Sequence, residues 1–127
     1  MPTVIYAEDD ADIAALVSFS LEDHGIEVEV CPDGRQVFER LANGVRPDAL
    51  ILDVMLPGMS GLEILAEVRN MPEFAELPVL VLSALARESD REEIRRGGKA
   101  AFLTKPFDCE ELAALVTDLI QMGDAAV

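Results

Sequence analysis

Histidine occurs once in the 127 residues, at His24. A multi-histidine metal site or a histidine relay within the chain is therefore excluded. Cysteine is almost as scarce. Cys31 and Cys109 are the only two, too few for a disulfide scaffold, and a cytoplasmic location is expected. Basic residues are in short supply: 10 Lys and Arg stand against 25 Asp and Glu, a formal charge of −15. A surface that acidic repels phosphate backbones, which argues against direct nucleic-acid binding by this segment. No apolar run reaches membrane-spanning length, so no membrane association is expected. The opening Met1-Pro2-Thr3 lacks a basic region followed by an apolar stretch, so no signal peptide is expected. There are no repeats and no linkers. One domain over residues 1–122 is expected, with 123–127 as a short tail.

What remains is 50% hydrophobic and 28% charged, the composition of a soluble globule with a real core. Five short apolar runs punctuate it: Val4-Ile5-Tyr6-Ala7, Val28-Glu29-Val30, Ala49-Leu50-Ile51-Leu52, Val79-Leu80-Val81-Leu82 and Ala101-Phe102-Leu103. Three are continuous, the pattern of strands covered on both faces. The second alternates with Glu27 and Glu29 and reads as an edge strand. Helical spacing lies between and after the runs. Ile13, Leu16, Val17, Ser20, Leu21 and His24 follow Asp10 or Asp12 as a cap and stop at Gly25. Val37, Phe38 and Leu41 end before Gly44. Leu62, Leu65, Ala66 and Arg69 follow Ser60 and end before Pro72. Ser89 to Glu92 opens a fourth helix that stops at Gly97-Gly98. Leu112, Leu115, Val116 and Leu119 form a fifth, beginning at Asp108 and ending near Gly123.

Strand and helix thus alternate five times, which predicts an α/β fold with a parallel sheet and helices on both faces. Ligands of such sheets bind beyond the carboxyl ends of the strands. The first strand ends in Glu8-Asp9-Asp10, the third in Asp53, the fourth in Ser83-Ala84 and the fifth in Lys105-Pro106. Each has a bland reading alone: an acidic first helical turn, a loop Asp, a capping hydroxyl, a solvated Lys. All four landing on one rim is what the bland readings leave unexplained. The chemistry is coherent. Clustered carboxylates repel one another without a cation, and oxygen-only ligands suit a hard one, with Mg²⁺ the first choice. A carboxylate can also be the nucleophile in phosphoryl transfer. Mg²⁺ and Lys105 would neutralise the phosphoryl oxygens, and the Ser83 hydroxyl and backbone N–H groups would hydrogen-bond them.

From about Thr3 to Leu119 these residues resemble the receiver (response-regulator) domain of two-component signalling. Glu8-Asp9 stands where that family binds its metal. The stretch Asp53-Val-Met-Leu-Pro57-Gly58-Met-Ser-Gly61 is similar to its phosphoacceptor segment. Ser83-Ala84 stands at the hydroxyl position, Phe102 at the aromatic switch and Lys105-Pro106-Phe107 at the Lys-Pro motif. The intervals also fit, 30 residues from Asp53 to Ser83 and 22 from Ser83 to Lys105.

The resemblance implies a doubly wound, flavodoxin-like sheet of strand order 2-1-3-4-5 with five helices on two faces. It implies a phosphorelay module rather than an enzyme acting on external substrates. Asp53 would accept a phosphoryl group from a phosphohistidine on a sensor histidine kinase or histidine phosphotransfer protein. Mg²⁺ would be held by Asp9, Asp53, the backbone carbonyl of Met55 and waters, with Glu8 acting mainly through water. The Lys105–Pro106 bond would be cis. Ser83 would move toward the phosphoryl group and Phe102 would turn inward. The readout, a phosphorylation-dependent homodimer included, would use the face of the fourth helix, fifth strand and fifth helix.

Some features are particular to this chain. Met55 and Leu85 occupy positions that flank the hydrolytic water in receivers. Neither can orient a water, so slow self-dephosphorylation is expected. Residues 87–99 hold five of the ten basic residues, either as a solvated helix face or as a pairing surface for the acidic last helix. On the second reading Arg91→Glu weakens a dimer. Two other functional classes fit the rim less well. A Mg²⁺-dependent phosphohydrolase with Asp53 as nucleophile commonly needs an acid two residues on, where this chain has Met55. A flavodoxin-like redox protein needs a Ser/Thr/Gly-rich phosphate loop after the first strand, where this chain has carboxylates.

Overall fold

The computed structural model describes residues 1–84, 92, 94, 96 and 99–125, and the side chains among these as far as Gln121. The elements run β1 (Thr3–Ala7), α1 (Ala11–Asp23), β2 (Glu27–Cys31), α2 (Gly34–Ala42), β3 (Ala49–Asp53), α3 (Gly61–Arg69), a 3₁₀ turn (Pro72–Phe74), β4 (Val79–Ser83), β5 (Ala100–Thr104) and α4 (Cys109–Ala125). The five strands form one sheet in the order β2-β1-β3-β4-β5, and every neighbouring pair is parallel. The predicted doubly wound sheet is therefore what the chain forms. Four α-helices are present among the described residues, the last being the fifth of those expected. The expected fourth helix falls largely outside them; Glu92, Ile94 and Arg96 are described and helical.

Period-two alternation divides the core in two. Val4 and Tyr6 of β1, Ala49 and Ile51 of β3, and Leu80 and Leu82 of β4 share one apolar cluster with residues of α1 and α4. Ile5 and Ala7, Leu50 and Leu52, and Val79 and Val81 share the other with residues of α2 and α3. All five residues of β3 and of β4 are buried, as continuous apolar runs require of central strands.

Local chemistry sets the helix ends. Asp10, not Asp12, caps α1, its carboxylate accepting from the N–H groups of Asp12 and Ile13 at 3.0 and 3.1 Å. Ser60 and Glu63 form a reciprocal capping box at α3. Gly61 begins that helix hard against β3: a Cβ there would lie 2.6 Å from the Asp53 carbonyl oxygen. Only glycine permits so close an approach.

The structure corrects several details. Leu16 is 66% exposed rather than part of the α1 core stripe; Val17, Ser20 and Leu21 of the expected stripe are buried, with Ala14 beside them. Ala66 is exposed, while Ile64 and Val68 join Leu65 inside. The reason in both is a stripe about 100° wide, which admits residues three and four apart but not every apolar one. The alternation of β2 is also imperfect. Val30 is 37% exposed, and Glu29 is half-buried because it pairs with Arg40 of α2. α4 continues past Gly123 to Ala125, since one glycine weakens a helix without ending it.

Ser60→Ala removes the hydroxyl half of the α3 capping box. The expected cost is about 1 kcal/mol in urea-induced unfolding with an unchanged m-value. A midpoint equal to that of the wild type would show that the cap contributes nothing.

Candidate functional site

Four strand ends bring polar groups to one rim. Glu8 follows β1 and is only 2% exposed; Asp53 closes β3 at 3% and Ser83 closes β4 at 2%. Asp9 is exposed beside them. Lys105 follows β5, and its N–H donates to the Ser83 carbonyl at 2.8 Å. The sheet register does the placing. Asp53 pairs with Leu82, one residue before Ser83, and Val54 N–H donates to the Leu82 carbonyl at 2.9 Å.

The charges are arranged around the Lys105 ammonium. It donates to Oδ2 of Asp53 and stands 3.8 Å from Oε1 of Glu8. Oδ1 of Asp53 accepts from the Met55 backbone N–H at 2.9 Å. Glu8 accepts from the Tyr6 hydroxyl at 3.1 Å on Oε1 and from the Asp10 N–H at 3.3 Å on Oε2. Burial raises the Glu8 carboxyl above its ordinary value of 4.5, and the neighbouring Lys105 opposes that rise without cancelling it. One oxygen from each of Glu8, Asp9 and Asp53 lies within 4.8 Å of the others. A cluster of three carboxylates with oxygen donors only is the donor chemistry of a hard divalent cation.

Residues 4–117 match the family described as response regulator receiver domain. The chain belongs to that family. Among relatives, it is 37% identical over 124 residues to the DNA-binding dual master transcriptional regulator RpaA of Synechocystis, covering 98% of this chain and 51% of the relative. The chain thus spans about half the length of that regulator. The receiver domain of the Francisella response regulator 1452 superposes with a TM-score of 0.85 at 31% identity, over 96% of this chain and 98% of that one. The receiver domain of sensor histidine kinase PA1611 from Pseudomonas aeruginosa gives 0.81 at 28% identity, over 94% and 98%. That structure is described with a magnesium ion coordinated in its active-site cleft.

Most residues singled out in this receiver by sequence stand together. Glu8, Asp9, Asp53 and Lys105 form the cluster, and Ser83 is tied to it through the backbone of Lys105. The Met55 N–H touches Asp53, while the Met55 side chain is 71% exposed. Phe102 is set back from the rim. It pairs with Val81 and packs, half-buried, against the α2–α3 core cluster. The Lys105–Pro106 peptide is cis. Leu85, Arg91 and the Gly97-Gly98 stop lie outside the described residues, as does most of the basic stretch 87–99. The expected readout face is therefore described only in part, through β5 and α4. No described helix is long and apolar enough to cross a membrane.

Sequence reasoning missed Tyr6, which hydrophobic patterning marks only as a strand residue. The signal was there: residues two apart in a strand point to one face, so Tyr6 and Glu8 share a side of the sheet. It also missed the brace under the segment after Asp53. Gly34 N–H donates to the Pro57 carbonyl at 3.3 Å, and Asp33 abuts Gly58, which has φ +83°. Those contacts join separate loops and have no local signature.

Because the Glu8 carboxyl is raised in the folded state, its ionisation works against folding of the metal-free protein near neutrality. Below the unfolded value the group is protonated in both states and the penalty is gone. Glu8→Gln is therefore expected to raise the urea midpoint at pH 7 in chelator, with the gain shrinking as pH falls toward 4.5. A gain independent of pH, or a loss at pH 7, would contradict this reading.

Proposed function

We propose that the chain is a phosphorylatable switch of a two-component or phosphorelay system, with Asp53 as the phosphoacceptor. The observation that carries this reading is the buried Asp53 carboxylate held between the Lys105 ammonium and the Met55 N–H, beside two further carboxylates. The three carboxylates fit Mg²⁺, with Asp9 and Asp53 as direct ligands, the Met55 carbonyl as a third and Glu8 contributing mainly through water. When bound, Mg²⁺ supplies positive charge to the phosphoryl oxygens and relieves the mutual repulsion of the carboxylates.

The chain's own groups do the rest. One Asp53 oxygen forms a bond to phosphorus as the phosphorus–nitrogen bond of a phosphohistidine breaks, and the leaving imidazole retains the electron pair and takes up a proton. Lys105, already on Oδ2 of Asp53, turns to the transferred phosphoryl oxygens. The Ser83 hydroxyl donates to another, and Phe102 follows it inward. Positioning and charge neutralisation account for most of the catalysis that such a transfer needs. The donor is a histidine kinase or a histidine phosphotransfer protein. The output is a changed binding surface along β5 and α4, with the segment before β5 included. Met55 leaves no acid two residues beyond Asp53 to protonate the leaving group of an external phosphomonoester, which disfavours a hydrolase.

The test is incubation with acetyl phosphate and Mg²⁺, read by intact mass. One added phosphoryl group is expected in the wild type, none in Asp53→Ala and none in chelator. Equal gain by the Asp53→Ala variant would overturn the reading. The exposed, apolar Met55 side chain cannot orient a hydrolytic water. Met55→Asn is therefore expected to shorten the phosphoryl lifetime, by less than the roughly hundredfold or more that a positioned general acid or base contributes. An unchanged lifetime would remove Met55 from that role.

A further inference from the structure

Tyr6 is the only tyrosine of the chain, which has no tryptophan. It is 0% exposed and belongs to the apolar cluster that also holds Val17, Leu21, Leu112 and Val116. As a pure space-filler its hydroxyl would be a liability, since phenylalanine fills nearly the same volume without burying a polar group. The hydroxyl instead donates to Oε1 of Glu8 at 3.1 Å. A phenol hydroxyl is both donor and acceptor, and against a carboxylate oxygen it donates. Among the described residues Glu8 has little else to hold it: the Asp10 N–H on its other oxygen at 3.3 Å, and Lys105 at 3.8 Å with a closer partner in Asp53.

We propose that Tyr6 is a positioning residue for the cation site: its hydroxyl, donated from within the core, holds the Glu8 carboxylate on the rim facing Asp9 and Asp53. The proposal rests on the reading of this cluster as a Mg²⁺ site. It assigns a function to a residue that touches neither cation nor phosphoryl group. The geometry needs a glutamate. Tyr6 and Glu8 lie on the same face two residues apart, and the extra methylene of glutamate carries the carboxylate back to the phenol oxygen. An aspartate at position 8 has one methylene less of reach toward that oxygen. Without the hydroxyl, Glu8 is a buried carboxylate with one donor fewer, free to turn away from the rim. That movement lowers the affinity of the rim for a divalent cation. Partners of metal-ligating groups commonly carry at least this much of a site's affinity.

The experiment is Mg²⁺ binding by calorimetry at pH 7 with the full chain, in the wild type, Tyr6→Phe, Glu8→Asp and the double variant. Circular dichroism and urea unfolding show whether each is folded; the phenyl ring keeps the core volume in Tyr6→Phe. The expected result is a Mg²⁺ dissociation constant about tenfold higher for Tyr6→Phe than for the wild type, the low end of what partners of metal ligands carry. In the Glu8→Asp background the same change is expected to alter it less than about twofold, since the carboxylate there has one methylene less of reach toward the hydroxyl. A core-packing role alone would give the same factor in both backgrounds. Unchanged or tighter binding by Tyr6→Phe, or an equal factor in both backgrounds, overturns the proposal while leaving the cation site intact. Failure of the wild type to bind Mg²⁺ overturns the cation site and this proposal together.

Discussion

Carboxylates crowded on one rim repel each other, and this protein holds Glu8 and Asp53 there, almost wholly buried, around the ammonium of Lys105. That arrangement is compensated but not balanced. One positive charge faces two buried carboxylates and the exposed Asp9. The residual negative charge attracts a further cation, and the proposed phosphoryl transfer rests on that attraction. Burial raises the Glu8 carboxyl, so its ionisation opposes folding, and such tension between folding and function is common where sites are built from like charges.

The parallel sheet is what makes the crowding possible. Residues that follow β1, β3, β4 and β5 are separated by dozens of positions in sequence, yet parallel strands deliver all their carboxyl ends to one side. The two central strands are buried on both faces, so their register is fixed by packing, and the side chains at their ends inherit that precision. Backbone bonds finish the placement: Val54 to Leu82, and Lys105 to Ser83. Gly61 lets α3 start against the Asp53 carbonyl, and the Gly34–Pro57 bond steadies the segment between them.

Much of this was legible in the residue order. Continuous apolar runs marked the central strands, since burial on both faces leaves no polar positions. Polar residues directly after those runs marked the rim, because a run's end is local information. The strand order needed the family resemblance. What could not be read was tertiary. Leu16 fits the spacing of a core helix residue but faces outward, since a helix has more apolar positions than its buried stripe accepts. Val30 and Glu29 break the expected alternation because Arg40, on another element, draws Glu29 inward. The Tyr6–Glu8 bond was implicit in strand geometry, but hydrophobic patterning counts a tyrosine as core and overlooks its hydroxyl.

Borohydride reduces an acyl phosphate to the corresponding alcohol and so leaves a permanent mark on the carboxylate that carried it. Peptide mapping after treatment with acetyl phosphate, Mg²⁺ and borohydride asks the rim directly which of its carboxylates is the nucleophile. Reduction at residue 53 alone is the expected result. Reduction at Glu8 or Asp9, or none at all in folded protein that binds Mg²⁺, would contradict the central role given to Asp53.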